Sequence, residues 1–245
     1  MEFKILDLFC GAGGFSYGME KNPHFKTVLA LDNDSYAGDT FKRNMPGCDV
    51  IIGDITSSAI KEQIVQKSIG YGVNTIIGGP PCQGYSNKGK KLGMDDPRNF
   101  LFREYLSLVK ELNPEVFVIE NVKALLSTSN GWFRDEILKA ISSLGYLVDY
   151  GVLNASHFGV PQSRERAIFI CAKCKLIPLP KQIVSTYTTV RDAIADLAYH
   201  ESGEGTFEED YLLPTSSDYQ KMMRAGTGKL YNHMASRHKE IAIEI

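Results

Sequence analysis

What this chain lacks narrows it first. None of its 245 residues form an unbroken apolar run of about 18, so no span of that kind crosses a bilayer. Its five cysteines make no framework: an odd number at irregular spacings fits free thiols in a reducing compartment. No charged and apolar leader opens the chain, since Met1-Glu2-Phe3-Lys4-Ile5 enters a strand directly, and a cytoplasmic address is the expectation. Excess charge is missing too. A net charge of −2 means that any nucleic acid must be met by a local basic face, because global attraction is absent. Tryptophan occurs once, and no internal repeat is visible. What remains, 43% hydrophobic and 23% charged, is ordinary for a globular chain long enough for one large domain and part of a second.

What is present is an alternation of strand and helix, which predicts an α/β fold. Phe3–Phe9 reads as a strand, followed by the loop Cys10-Gly11-Ala12-Gly13-Gly14 and a helix from about Phe15 to Lys21. Strand, glycine loop and helix resemble the first unit of a nucleotide-binding fold, although the adjacent Gly13-Gly14 departs from the dinucleotide spacing. Thr27–Leu31 reads as the second strand and ends in Asp32-Asn33-Asp34; an acid at that tip can accept bonds from both ribose hydroxyls. Ser35 is the expected N-cap of a helix reaching about Asn44. Val50–Ile52 reads as the third strand, and Asp54 in the turn after it can meet an adenine amino group. A glycine loop and two acids on successive strand tips suit an adenosine ligand without a pyrophosphate.

The stretch that organises the rest is Gly78-Gly79-Pro80-Pro81-Cys82-Gln83-Gly84-Tyr85-Ser86, which follows the apolar run Thr75-Ile76-Ile77. The glycines allow close backbone approach, the prolines stiffen the next step, and one cysteine is then presented as a nucleophile would be. A tight turn carrying a small apolar residue is the plainer alternative. Residues 83–99 form a polar loop with Lys88, Lys90, Lys91 and Arg98; its charge suggests phosphate contacts and its glycines a moving lid. Phe100–Leu112 is an amphipathic helix stopped by Pro114.

Val116–Ile119 is an apolar strand ending in Glu120-Asn121-Val122. Glu120 is expected to face the same ligand edge as Cys82, where burial favours a proton-donating carboxyl, and Asn121 is the expected cap. Helix Trp132–Leu144 and strand Leu147–Leu153 follow. Ser163-Arg164-Glu165-Arg166 then leads into the strand Ala167–Cys171; two arginines at alternate positions are expected to share a face, where guanidinium forks suit phosphate and base oxygens. Cys171-Ala172-Lys173-Cys174 has a metal-like spacing but no second pair beside it, and a structural role is favoured with no metal site expected. From Lys175 the character changes to a Pro178/Pro180 linker, a short helix at Val190–Leu197 and a mixture of basic and aromatic residues.

Four motifs in order carry a resemblance: Asp7-Leu8-Phe9-Cys10-Gly11-Ala12-Gly13-Gly14, Pro80-Pro81-Cys82-Gln83, Glu120-Asn121-Val122 and Gln162-Ser163-Arg164-Glu165-Arg166. Over about residues 3–174 the chain resembles the DNA (cytosine-5)-methyltransferases of bacterial restriction–modification systems. The resemblance implies a Rossmann-like, mostly parallel methyltransferase sheet with helices on both faces, S-adenosylmethionine as cofactor and double-stranded DNA as partner. It implies Cys82 as the nucleophile that adds to carbon 6 of a flipped-out cytosine, and Glu120 as the group holding ring nitrogen 3 and the exocyclic amine. Arg166 would reach the base oxygen, with Arg164 supporting it or a phosphate.

Phe9, Gly11, Ala12, Gly13, Gly14, Asp32, Asn33, Asp54, Ile55, Pro81 and Leu101 would form the cofactor site. Gln83, Ser86, Lys88, Lys90, Lys91 and Arg98 would contact DNA. The implied division is a catalytic domain over 1–174 and a linker with the start of a target-recognition region over 175–245. Two later motifs of the family are absent from these residues, so a second polypeptide carrying them is an expected partner if the chain is not part of a longer one. A tRNA cytosine-5 methyltransferase, a silent S-adenosylmethionine-binding protein and a nicotinamide dehydrogenase are the other readings, the last disfavoured by the glycine spacing.

Overall fold

In the computed structural model, which describes residues 2–81 and 100–238, the sheet-forming part of the chain runs strand–helix–strand. Its elements are β1 (Phe3–Leu8), α1 (Gly14–Met19), β2 (Phe25–Asp32), α2 (Ser35–Asn44), β3 (Asp49–Ile52), α3 (Ser58–Tyr71) and β4 (Thr75–Gly78). Then come α4 (Phe100–Leu112), β5 (Val116–Val122), α5 (Trp132–Ser143), β6 (Leu147–Asn154) and β7 (Glu165–Ala172). Two compact units divide the chain. The first takes Met1–Leu153 and Glu165–Pro180, the second Asn154–Arg164 and Lys181–Ile245.

The first unit is one seven-stranded sheet in the order β3-β2-β1-β4-β5-β7-β6. Neighbours from β3 through β5 are parallel, and β7 runs antiparallel to β5. The order reverses between β1 and β4, and in open α/β sheets a crevice for ligands opens at such a reversal, outside the carboxyl ends of the strands. Register aligns those ends: Leu8 pairs with both Leu31 and Gly78, and Gly78 with Ile119. The four residues of β4 are all buried, as expected of a central parallel strand covered on both faces.

Packing explains the sequence choices. Leu6, Leu8, Leu29, Ile76, Phe117 and Phe169 of the sheet meet Phe102 and Tyr105 of α4 in one core. Helix α4 buries Phe102, Tyr105, Leu106 and Val109, an i, i+3, i+4, i+7 stripe, while Arg103 and Lys110 lie outside it. Its Tyr105 hydroxyl donates to the Val118 carbonyl at 3.0 Å, which satisfies a fully buried polar atom. Gly78 has no alternative, because a Cβ there would sit 2.4 Å from the Leu8 carbonyl oxygen.

Two local expectations are corrected, and one helix is added. Helix α2 is capped by Asp34, not Ser35: its carboxylate accepts from Tyr36 N at 2.8 Å and Ala37 N at 3.3 Å, a reach the next residue lacks. Asn121 is no cap either; strand β5 continues through it to Val122, which caps a following 3-10 turn, and Asn121 is buried. Helix α3 is an addition to the expectations, burying Ile64 and Ser68.

The second unit holds α6 (Val190–Ile194), β8 (Gly205–Glu209), α7 (Asp218–Arg224) and β9 (Leu230–Met234), with β8 and β9 paired as an antiparallel hairpin. Both helices start with capping boxes, Thr189 with Asp192 and Ser217 with Gln220. Its interior is polar. Among the described residues its buried side chains are Asp196, ion-paired to Arg224 at 2.6 Å, and Gln220. No apolar side chain of this unit is buried among them. None of its described helices is long and apolar enough to cross a membrane, and the same holds for the first unit.

Candidate active site

The chain leaves β1 through a left-handed turn. Phe9 has φ 61°, and Gly11 and Gly13 have φ 53° and 91°. A positive φ is uncommon for a bulky residue and is held here by three bonds. Cys10 N donates to the Leu31 carbonyl at 3.1 Å, Gly11 N to Asp32 Oδ2 at 2.8 Å, and Gly13 N to the Cys10 carbonyl at 3.0 Å. Gly13 also fits against Phe41, whose ring would lie 2.9 Å from a Cβ. Asp32 therefore fastens the glycine loop, and its Oδ1 accepts from Asp34 N at 3.0 Å. Each carboxylate oxygen has two lone pairs, so this leaves acceptor capacity for a ligand.

Phe9, Leu31, Asp32, Asn33, Gly53, Asp54, Ile55, Pro81 and Leu101 line one cleft at these strand tips. Its walls are apolar and aromatic, and its polar groups come from the tips of β2 and β3. Beneath the loop lies Asp7, 1% exposed, whose Oδ2 accepts from Ser16 Oγ at 2.6 Å. Burial pushes its carboxyl up to about 7, against the lowering effect of the Ser16 bond. Burial likewise raises the Cys10 thiol far above the usual range and that of Cys48 to about 12; both are inert apolar packing, not nucleophiles.

The second cluster lies across β4, β5 and β7. Glu120 Oε1 is 2.8 Å from Arg166 Nε, both side chains about a quarter to a third exposed. The antiparallel register brings them together, since Val122 pairs with Arg166 and Glu120 with Ile168. A Cβ on Gly79 would stand 3.1 Å from Glu120 Oε2, so the carboxylate lies directly against the turn that leads to Cys82. Asn121 Nδ2 donates to the Pro80 carbonyl at 2.9 Å and ties the same turn to β5. Arg166 Nη1 donates to the Glu165 carbonyl at 2.8 Å, and Glu165 itself is ion-paired to Lys123.

Against known families, residues 3–242 match the model of the C-5 cytosine-specific DNA methylases. The chain belongs to that family.

The Type II methyltransferase M.DdeI of Desulfomicrobium norvegicum is 40% identical over 250 residues, covering 98% of this chain and 59% of that protein. M.AquIA of Picosynechococcus sp., also a Type II methyltransferase, is 38% identical over 225 residues, 80% of this chain and 90% of that protein. A prophage-encoded protein of E. coli, assigned as a DNA modification methyltransferase, superposes with a TM-score of 0.74 at 23% identity, over 98% of this chain and 73% of its own, and attests the fold. The chain thus spans somewhat over half of M.DdeI. The mostly parallel sheet with its helices is the S-adenosylmethionine-dependent methyltransferase fold.

Among the residues that the cytosine-5 methylase resemblance assigns to the cofactor, Phe9, Asp32, Asn33, Asp54, Ile55, Pro81 and Leu101 line the cleft. Gly11, Ala12, Gly13 and Gly14 form or follow the turn beside it, with the Ala12 carbonyl accepting from Asn44 Nδ2. Leu31 and Gly53 line it as well; they were legible only as ordinary strand-end residues. Glu120 and Arg166 meet, and Arg164 stands one residue before β7 begins. Glu120 is paired with a guanidinium and remains 30% exposed, where burial was expected of it. Cys82, Gln83, Ser86, Lys88, Lys90, Lys91 and Arg98 lie outside the described residues.

Proposed function

We propose that this chain carries the catalytic part of a DNA cytosine-5-methyltransferase that acts on a flipped-out cytosine of duplex DNA through a covalent adduct on Cys82. The observation that carries the reading is the seating of the Glu120 carboxylate, paired to Arg166, against Gly79 of the turn that runs into Cys82.

Carbon 5 of cytosine is a poor nucleophile until the ring is activated. The Cys82 thiolate adds to carbon 6, the carbon 5–carbon 6 π pair moves to carbon 5, and Glu120 holds ring nitrogen 3 and the exocyclic amine as charge develops there. Arg166 orients Glu120 and contacts the base oxygen, with Arg164 serving it or a phosphate. After methylation, loss of the carbon 5 proton returns an electron pair to the ring and expels the Cys82 thiolate.

The cofactor, S-adenosylmethionine, supplies an electrophilic methyl group when bound. The cleft fits it in donor chemistry: Asp32 and Asp54 are acceptors for ribose hydroxyls and an adenine amine, and Phe9, Ile55, Pro81 and Leu101 offer apolar faces to a planar base. Residues 83–99, with Gln83, Ser86, Lys88, Lys90, Lys91 and Arg98, would close over the DNA, and the region from Lys175 would begin target recognition. On the family's pattern, two later motifs would complete the methionine end of the cofactor, in the same polypeptide or a second one. The homologues are bacterial modification enzymes, which supports a cytoplasmic, DNA-associated setting.

The test is a trap. Duplex DNA carrying 5-fluorocytosine at the target, incubated with the protein and S-adenosylmethionine, should yield an adduct at Cys82 that survives denaturing electrophoresis, because fluorine cannot leave as the proton does. Cys82→Ser should give none. Trapping on tRNA and not on duplex DNA would reassign the substrate, and no adduct where ordinary DNA is methylated would overturn the covalent route.

A further inference from the structure

The second unit contains a convergence that methyl transfer does not use. His200, Glu209 and His233 each bring one metal-ligating atom to a common point, the three atoms lying within 4.8 Å of one another. Glu209 Oε1 is 3.1 Å from His200 Nε2 and 2.6 Å from His233 Nδ1. The imidazole centroids are 4.4 Å apart, and all three side chains are largely shielded, with exposures of 17%, 20% and 22% in chain order.

The backbone is shaped to bring them together. In an undistorted ladder, His233 (opposite Thr206) and Glu209 (opposite Leu230) would face opposite sides of the hairpin, because side chains alternate. Asn232, at φ 59°, breaks that alternation next to His233 and re-aims it, as an irregular strand residue does. Gly205, at φ 89°, leaves no room for a side chain: a Cβ would stand 2.2 Å from the His233 carbonyl oxygen and 3.0 Å from His200 Cδ2. Its bareness is what lets His200 close onto β9. Two unusual backbone positions thus serve one cluster.

The surroundings give the cluster a task. No apolar side chain of this unit is buried among the described residues, so its fold rests on capping boxes, the Asp196–Arg224 pair and the hairpin. Small modules without a hydrophobic core are commonly held by disulfides, a metal or a partner. Two imidazole nitrogens and a carboxylate oxygen are borderline donors that suit zinc-class divalent ions. At ordinary zinc bond lengths of about 2.0–2.1 Å, tetrahedral ligand atoms lie roughly 3.3 Å apart, near the 3.1 Å already present and a small widening of the shorter contact.

We propose that His200, Glu209 and His233 bind one zinc-class divalent cation that staples the β8–β9 hairpin to the segment entering it, with the fourth coordination position left to water. The alternative, a carboxylate accepting from two imidazole N–H groups and binding nothing, has a different signature. The full chain, stripped by chelator, is titrated with zinc while bound metal and thermal unfolding are measured, and cobalt(II) is substituted to read the ligands from its visible spectrum.

One equivalent is expected, with a higher Tm for the loaded protein and a cobalt spectrum free of thiolate charge-transfer bands. Glu209→Gln keeps an acceptor for both rings and so keeps the hydrogen-bonded form, yet removes the charged ligand. Because changes to the groups behind a ligand alone cost about 10–100-fold in affinity, it should weaken zinc by at least about tenfold. Zinc bound equally by Glu209→Gln and wild type, thiolate bands in the cobalt spectrum, or no bound zinc in the refolded wild type would each overturn the proposal.

Discussion

Replacing Asp7 by Asn should abolish most of the pH dependence of stability of the sheet-bearing unit. Asp7 is fully buried in β1, and its carboxyl is raised from 3.8 to about 7, mainly by burial and further by the charge of Asp32. In the unfolded chain the carboxyl ionises near 3.8, so between about pH 4 and 7 the folded state holds a proton that the unfolded state has released. The stabilising contribution is complete below the unfolded value and is lost as pH rises to the folded one. At about 1.4 kcal/mol per unit, the full loss is about 4 kcal/mol, a large share of a typical 5–15 kcal/mol stability.

The sole tryptophan, Trp132, lies in α5 of the same unit and reports its unfolding in urea. From pH 5 to 6.5 the wild type should lose roughly 2 kcal/mol. Asp7→Asn, which keeps an acceptor for Ser16 and has no charge to bury, should be flat over that range and at least as stable as wild type at pH 7.5. A wild-type curve level or rising across this window, or the same slope in the variant, would refute the reasoning.

Other consequences separate the two clusters. Glu120→Gln should slow methyl transfer by about 10²–10⁴-fold with little change in cofactor affinity, measured by single-turnover tritium transfer and calorimetry. Asp32→Ala removes the acceptor of Gly11 N and Asp34 N, and calorimetry should register a loss of about 1–3 kcal/mol in S-adenosylmethionine binding. Equal patterns in the two variants would mean that the acids do not serve separate sites. Gly78→Ala must force β1 from β4 around a 2.4 Å clash with backbone; denaturation should show at least about 1–3 kcal/mol of lost stability, and an unchanged midpoint would contradict the packing described.

Much of this was legible because the signals are local. Apolar runs punctuated by glycine and proline locate the strand tips, so the glycine loop, Asp32 and Asp54 could be placed on one edge from the chain order, while Phe9 and Pro81 came from the family resemblance. Long-range pairing was not. That Glu120 meets Arg166 depends on β7 running antiparallel to β5 in one register, which no spacing of 46 residues announces. Asp34 against Ser35 as a cap is a contest between neighbouring cap-forming residues, and Asn121 proved a strand residue because its side chain found the Pro80 carbonyl. The cluster of His200, Glu209 and His233 follows from one left-handed asparagine and one crowded glycine, neither of which the hydrophobic pattern signals.

The reversed direction of β7 has a consequence for how such a site can be altered. Every parallel strand offers its last residues to the ligand edge, so a change there is a change in how the chain departs from the sheet. Strand β7 offers its first residues: the chain arrives at the edge, delivers Arg166 within two positions of entry, and travels away from the chemistry afterwards. Residues 155–161, between β6 and the Gln162–Arg166 motif, can therefore be lengthened or exchanged without rethreading the sheet, and the guanidinium that holds Glu120 arrives unchanged. The reactive edge and the connection from β6 are covalent neighbours, so a change in that connection reaches the edge without passing through the rest of the sheet.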